Sequence, residues 1–280
     1  MTVRDDLRDR YLDLLVSSLT ATANGPMRLH APVPTTGRSL RSLVQRRLSA
    51  REGSLLMHPY DHDPGSDEEG RRNAYELTPG IMTMIGRTRM EDLRRRLVDV
   101  IERDVPGHVI ETGVWRGGAT ILMRGVLAAY GDTARKVIVA DSFEGLPPPD
   151  TLAYPLDEGL DFHLHPILAV SLDDVQANFE RYGLLDERVV FLKGWFKDTL
   201  PSVHDEQLSL VRLDGDLYES TMDAIVNLYP ALSPGGWLII DDYNDIPACK
   251  AAVTDYRTEH EIFEPIEEID FTGVCWQKGD

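Results

Sequence analysis

Residues 108–120, H-V-I-E-T-G-V-W-R-G-G-A-T, run from a short β-forming string through three glycines into a helix-forming one. Val109–Glu111 reads as a strand and Ala119–Tyr130 as a helix, so Gly113, Gly117 and Gly118 occupy a strand-to-helix turn. Glycine there lets a ligand approach the backbone and lets the helix start close to the sheet. The spacing is G-x-x-x-G-G, which fits neither the G-x-G-x-x-G dinucleotide fingerprint nor the Gly-Lys-Ser/Thr phosphate loop. A pyrophosphate cradle is disfavoured.

Outward from this stretch, strands and helices alternate. Strands are expected at Lys136–Ala140, Val189–Leu192, Leu208–Leu213 and Trp237–Ile240, and helices at Asp173–Tyr182, Ser220–Tyr229 and Ala248–His260. Such alternation implies right-handed βαβ crossovers and a mostly parallel sheet with helices on both faces. At the end, strands Glu261–Ile269 and Val274–Gln277 are separated by only Asp270-Phe271-Thr272-Gly273, short enough for a hairpin and too short for a crossover. An antiparallel strand therefore closes an α/β sheet. The arrangement resembles the Rossmann-like fold of class I S-adenosylmethionine (SAM) methyltransferases; dinucleotide dehydrogenases usually lack the terminal hairpin.

Toward the N-terminus, Leu7, Tyr11, Leu14, Leu15 and Leu19 recur at helical steps, as do Met82, Ile85, Met90, Leu93, Leu97 and Val100. Between them lie a proline-containing stretch over 26–38, a basic helix around Leu40–Leu48 and an acidic, turn-rich loop from His58 to Gly70. The chain thus divides into an N-terminal helical region, 1–78, and a main domain, 79–280.

The formal charge is −18, from 29 Lys and Arg against 47 Asp and Glu, which disfavours nucleic acid as a partner because backbone affinity comes from cationic neutralisation. Residues 1–51 carry nine Arg against four acids, so a basic face could dock on an acidic sister chain. Two cysteines in no metal or disulfide pattern fit a reducing cytoplasm. Neither a membrane span nor an export signal is expected.

Acids end several strands. Glu111 suits a ligand ammonium, and Asp141, after the second strand, can accept hydrogens from both ribose hydroxyls of an adenosine. Leu213-Asp214-Gly215-Asp216 and Ile240-Asp241-Asp242-Tyr243 put four more acids beyond adjacent strands. Their repulsion is relieved by a hard divalent cation such as Mg²⁺, which could bind two vicinal hydroxyls and lower the pKa of one. Asp216 could take that proton if Asp214 is committed to the metal.

On seven strings the chain resembles the macrocin O-methyltransferase family, the TylF, MycF and NovP type of sugar O-methyltransferase from actinobacteria. They are T-M-I-G at 83–86, E-T-G-V-W-R-G-G at 111–118, V-A-D-S-F-E-G at 139–145, R-Y-G-L-L-D at 181–186, G-W-F-K-D-T-L-P at 194–201, L-D-G-D-L-Y-E-S-T at 213–221 and I-I-D-D-Y at 239–243. The likeness covers about Thr83 to Trp276. It implies SAM and Mg²⁺ as cofactors, with Asp214, Asp241 and Asp242 at the metal positions and Asp216 as base. It places Thr83, Met84, Ile85, Glu111, Thr112, Gly113, Arg116, Gly117, Asp141, Ser142, Gly194, Trp195 and Asp214 around the cofactor. It also implies an N-terminal helical lid and self-association as a homodimer or larger homo-oligomer.

Residues 26–78 and Leu146–Pro166 depart from the family pattern, and His163 or His165 in the second segment is a further candidate base. The expected function is methylation of a sugar hydroxyl, in a vicinal diol, on a glycosylated antibiotic-type product. Rival readings are a catechol-type methyltransferase, since the same carboxylates chelate two phenolic oxygens, a catalytically idle SAM-binding partner subunit, and a nicotinamide-dependent oxidoreductase.

Overall fold

A computed structural model describes residues 3–21 and 80–279. The expected basic helix around Leu40–Leu48, the acidic loop at His58–Gly70 and the lid over 26–78 lie outside the described residues. In chain order the elements are α1 (Val3–Leu19), α2 (Gly86–Glu102), β1 (His108–Thr112), α3 (Gly118–Tyr130), β2 (Val137–Asp141), α4 (Leu172–Arg181) and β3 (Val189–Lys193). They continue with α5 (Phe196–Thr199), β4 (Leu208–Leu213), α6 (Tyr218–Leu228), β5 (Leu232–Ile240), α7 (Pro247–Glu259), β6 (Glu267–Glu268) and β7 (Val274–Gln277).

The strands form one seven-stranded sheet in the order β3-β2-β1-β4-β5-β7-β6. The first five are mutually parallel, and β7 runs antiparallel to both β5 and β6. Strand β4 is buried at all six positions, as a central strand covered on both faces should be. Order reverses between β1 and β4, the place in an open α/β sheet where ligands bind beyond the strand ends.

Two apolar layers sandwich the sheet. One face packs α1 to α4 through residues such as Leu12, Met90, Leu122 and Phe179, and the other packs α6 and α7 through Ile225, Leu228, Val253 and Trp276. Helix α3 is buried along Gly118–Leu127, consistent with its apolar residues all round. In α1 the core-facing side is Leu12, Leu15, Val16 and Leu19, so Leu7 and Leu14 of the expected apolar stripe point outward.

Close backbone approach explains two glycines. At Gly113, φ is +80° and a Cβ would lie 1.8 Å from the Asp214 carbonyl oxygen. At Gly118 a Cβ would come within 2.3 Å of the Met82 carbonyl, to which the Gly118 N–H donates at 2.9 Å. The ends of β1 and β4 and the segment leading to α2 are thereby drawn together around one cleft.

The expected strand over Glu261–Ile269 shrinks to Glu267–Glu268. Pro265 cannot donate to a ladder, Glu261 has a left-handed φ of +53°, and Glu264 turns back to accept the Gly279 N–H. The hairpin survives because Asp270 Oδ1 accepts the N–H groups of Thr272 and Gly273.

Candidate active site

Beyond the strand ends lies a cavity of about 380 Å³. Its walls come from Met84, from Gly113 and Trp115 after β1, from Asp141, Ser142 and the Gly145–Pro148 segment after β2, and from Gly194–Lys197 after β3. Asp214–Asp216 after β4 and one side of α6, with Glu219, Ser220 and Asp223, complete it. Of the expected cofactor residues, Met84, Gly113, Asp141, Ser142, Gly194, Trp195 and Asp214 line this space. Asp141 is aimed by the backbone: Val114 N–H donates to Oδ2 and Phe143 N–H to Oδ1, each at 2.7 Å.

The other expected residues stand behind that wall. Thr83 is buried with its hydroxyl accepting the Ile85 N–H, and Ile85 joins the core at the start of α2. Thr112 is fully buried and its carbonyl accepts the Asp214 N–H. Gly117 is the left-handed residue before α3. Arg116 donates to the Ile81 carbonyl and lies over the Trp115 ring, so it braces the wall from outside.

Glu111 differs most from its expected role. It is 2% exposed, and its Oε1 accepts a hydrogen bond from Arg212, its cross-strand neighbour on β4. Burial pushes its carboxyl up to about 8 against the pull of Arg212. The carboxylate is therefore a partner of Arg212 in the sheet and is absent from the cavity wall.

His163 and His165 do not line the cavity either. His163 lies in a short 3₁₀ turn, and His165 is the exposed residue between that turn and the next. The loop is pinned on both sides of them, which fixes where they lie. Asp157, fully buried, accepts the N–H groups of Tyr218 and Glu219 at the start of α6, and Trp115 Nε1 donates to the Ile167 carbonyl at 2.8 Å.

The four acids after β4 and β5 meet, but unequally. One oxygen each of Asp214, Asp216 and Asp242 lies within 4.8 Å of the others, a spacing suited to gripping one ion. Asp241 was expected in that trio and is not in the convergent set. Its Oδ1 is bound by Arg212 Nη2 and its Oδ2 by Arg89 Nη1 at 2.5 Å, so guanidinium charge already neutralises it. Burial alone would raise its pKa; Arg212 and Arg89 hold it below the usual carboxylate range instead. For Asp214, Asp216 and Asp242, burial and mutual repulsion push the carboxyls up.

Four acids (Glu111, Asp214, Asp241 and Asp270) thus share two buried arginines, Arg89 and Arg212, and Asp216 and Asp242 converge with Asp214 beside them. The excess is negative, every donor atom is a hard oxygen, and a divalent cation such as Mg²⁺ fits that chemistry. Asp216 also has a left-handed φ of +57°, as has Trp115 at +47°; both line the cavity, where such strain commonly accompanies function.

The sequence reading missed Trp115, Arg89, Arg212 and Asp157. A signal existed for Arg212, because an arginine inside the apolar run Leu208-Ser-Leu-Val-Arg-Leu213 must find buried acids. For Arg89 the sign was its place beside the core stripe Met90, Leu93 and Leu97 on α2. Asp157 left none, since a cap across 61 residues obeys no local spacing.

The family model described as macrocin-O-methyltransferase (TylF) matches residues 8–278. The chain is 46% identical over 274 residues, 98% of its length and 94% of the relative's, to 8-demethyl-8-(2,3-dimethoxy-alpha-L-rhamnosyl)-tetracenomycin-C 4'-O-methyltransferase of Streptomyces olivaceus. It is 48% identical over 214 residues, 75% of its length and 84% of the relative's, to mycinamicin III 3''-O-methyltransferase of Micromonospora griseorubida. Among solved structures it is similar to the O-methyltransferase NovP, with a TM-score of 0.78 at 41% identity, covering 98% of this chain and all of that one.

Proposed function

The chain belongs to the macrocin O-methyltransferase (TylF) family, a SAM-dependent O-methyltransferase family, and on that premise we propose that it methylates a sugar hydroxyl of a glycosylated natural product with the help of Mg²⁺. The observation that carries the proposal is the convergence of Asp214, Asp216 and Asp242 beside a cavity that also presents Asp141. The relatives support the acceptor class, since one is named for the 4' position of a rhamnosyl-bearing tetracenomycin and another for the 3'' position of mycinamicin III.

Asp141 is proposed to accept the hydrogens of the cofactor's ribose hydroxyls, with Gly113 leaving its backbone open to the methionyl part and Gly194 and Trp195 flanking the base. Asp214 and Asp242, common to the expected and the convergent sets, would hold the cation. Asp241, which the family likeness puts at the metal but which lies outside the convergent set, would join them only by sharing its oxygens with Arg212 and Arg89, which the two lone pairs of each carboxylate oxygen allow. A divalent ion held there would supply Lewis acidity toward an acceptor hydroxyl. Asp216 would take the hydroxyl proton as the oxygen bonds to the methyl carbon and the sulfonium S–C bond breaks, with S-adenosylhomocysteine leaving.

Self-association stays within the proposal: α1 leaves Val3, Leu7 and Leu14 exposed away from the core. Sedimentation of wild type against Leu7→Glu tests it, with loss of the larger species expected. Among the described residues no helix is long and apolar enough to cross a membrane.

Incubation with labelled SAM and a panel of glycosides and catechols, with and without EDTA, tests the function. Transfer to a glycoside that chelation abolishes is the expected result. Transfer to catechols alone, or transfer indifferent to EDTA, would contradict it.

A further inference from the structure

We propose that Arg89 is a positioning residue that competes with the divalent cation for Asp241 and thereby sets the affinity of the acidic site. This rests on the metal reading above and adds to it a role for a residue outside the ligand set. Arg89 belongs to α2, is 7% exposed and lies between two acids. Its Nη1 donates to Asp241 Oδ2 at 2.5 Å, and its Nε faces Asp270 Oδ2 at 3.1 Å.

The two buried arginines are not equivalent. Arg212 contacts Glu111, Asp214 and Asp241, the acids at the ends of three adjacent strands, and its loss leaves Glu111 and Asp214 without a cationic partner. Arg89 contacts only Asp241 at the site, and its second partner, Asp270, stands in the turn between β6 and β7. Asp270 is fixed there by its other oxygen, which accepts the N–H groups of Thr272 at 3.0 Å and Gly273 at 2.8 Å. Arg89 is therefore shared between the site and a rigid turn.

A guanidinium on Asp241 acts on a divalent ion in two ways. It occupies an oxygen that the ion would use, and it repels the ion across a short, partly desolvated distance. How much positive charge rests on Asp241 depends on how strongly Asp270 draws Arg89 away. The consequence is a pair of substitutions with opposite effects on metal affinity. Arg89→Met removes the competitor, so the ion binds more tightly. Asp270→Asn keeps the oxygen that caps the turn but removes the charge, which leaves Arg89 wholly to Asp241, so the ion binds more weakly. A residue that merely packs the interior would weaken binding in both variants or in neither.

The test is calorimetric titration of Mn²⁺ into the full chain in the presence of S-adenosylhomocysteine, with circular dichroism confirming the fold of each variant. On Coulombic grounds the dissociation constant should fall about tenfold in Arg89→Met and rise about threefold in Asp270→Asn. Arg89→Lys, which keeps the charge but cannot bridge two acids, should lie between wild type and Arg89→Met. Unchanged affinity in folded variants, or a shift in the same direction for both, overturns the inference. If Arg89→Met does not fold, Asp270→Asn alone decides, and unchanged or tighter binding there overturns it. Failure of wild type to take up Mn²⁺ instead overturns the metal reading itself, and this inference with it.

Discussion

The carboxylate of Asp157, in the loop after β2, accepts the backbone N–H of Tyr218 at the start of α6 at 2.6 Å, although 61 residues separate them. The same carboxylate accepts the Glu219 N–H, so one buried acid caps the helix that carries part of the cavity wall. Helix caps contribute about 1 kcal/mol, and an acid gains further from the helix dipole.

Asp157→Ala should therefore lower stability by about 1–2 kcal/mol. Because Gly145–Pro148, Asp150 and Leu168 of the same loop line the cavity, KM for SAM should rise as well. Asp157→Asn, which keeps an acceptor, should lose less of both. Urea unfolding and steady-state kinetics on the two variants check this; equal KM for Asp157→Ala and wild type would refute the anchoring role.

Gly113→Ala should be among the most damaging single substitutions outside the acids. The added carbon meets the Asp214 carbonyl, and the residue sits at positive φ, so the β1 and β4 turns must separate. Chemical denaturation should register a loss of at least about 2 kcal/mol, and a loss under a tenth of that would show that the turns do not need this approach.

Asp216→Asn should leave the fold and S-adenosylhomocysteine binding intact while kcat falls about 10²- to 10⁴-fold, the usual contribution of a general base. Calorimetry and turnover measured on the same preparation separate the two effects. Turnover within a factor of a few of wild type would remove Asp216 from that role.

A pH prediction concerns Asp186, which pairs with Arg124 and Arg188 away from the cavity. Hydrogen bonding from Arg124 holds its carboxyl well below the usual carboxylate range. A depressed folded-state pKa means stability that is fully present above the unfolded value of about 3.9 and lost as pH falls toward the folded value. Asp186→Asn should thus cost about 1–2 kcal/mol at pH 7, with the gap to wild type shrinking between about pH 4 and pH 2. A gap independent of pH would show that the charge is not what stabilises this contact.

Strands β1, β2 and β4 were readable because each is a buried apolar run ended by glycine or acid. That Asp141 and the acids after β4 and β5 gather at one end of the sheet was readable because a parallel sheet places strand-end residues at one crevice. What escaped the sequence were pairings across distance. Arg212, which donates to Glu111, lies 101 residues from it, and Arg89, which donates to Asp241, lies 152 residues from it, so no local spacing announces either contact. The strand over Glu261–Ile269 failed for a more local reason, a proline at an edge with exposed acids, where alternation alone overstates pairing.

Counting bound Mn²⁺ per chain, by paramagnetic resonance in the presence of S-adenosylhomocysteine, tests the central claim most directly. Wild type should hold one ion, and an Asp214→Asn, Asp242→Asn double variant should hold none while still binding the nucleoside. Equal Mn²⁺ uptake by the two proteins would contradict the account, because the cation would then reside elsewhere than beside the methyl donor.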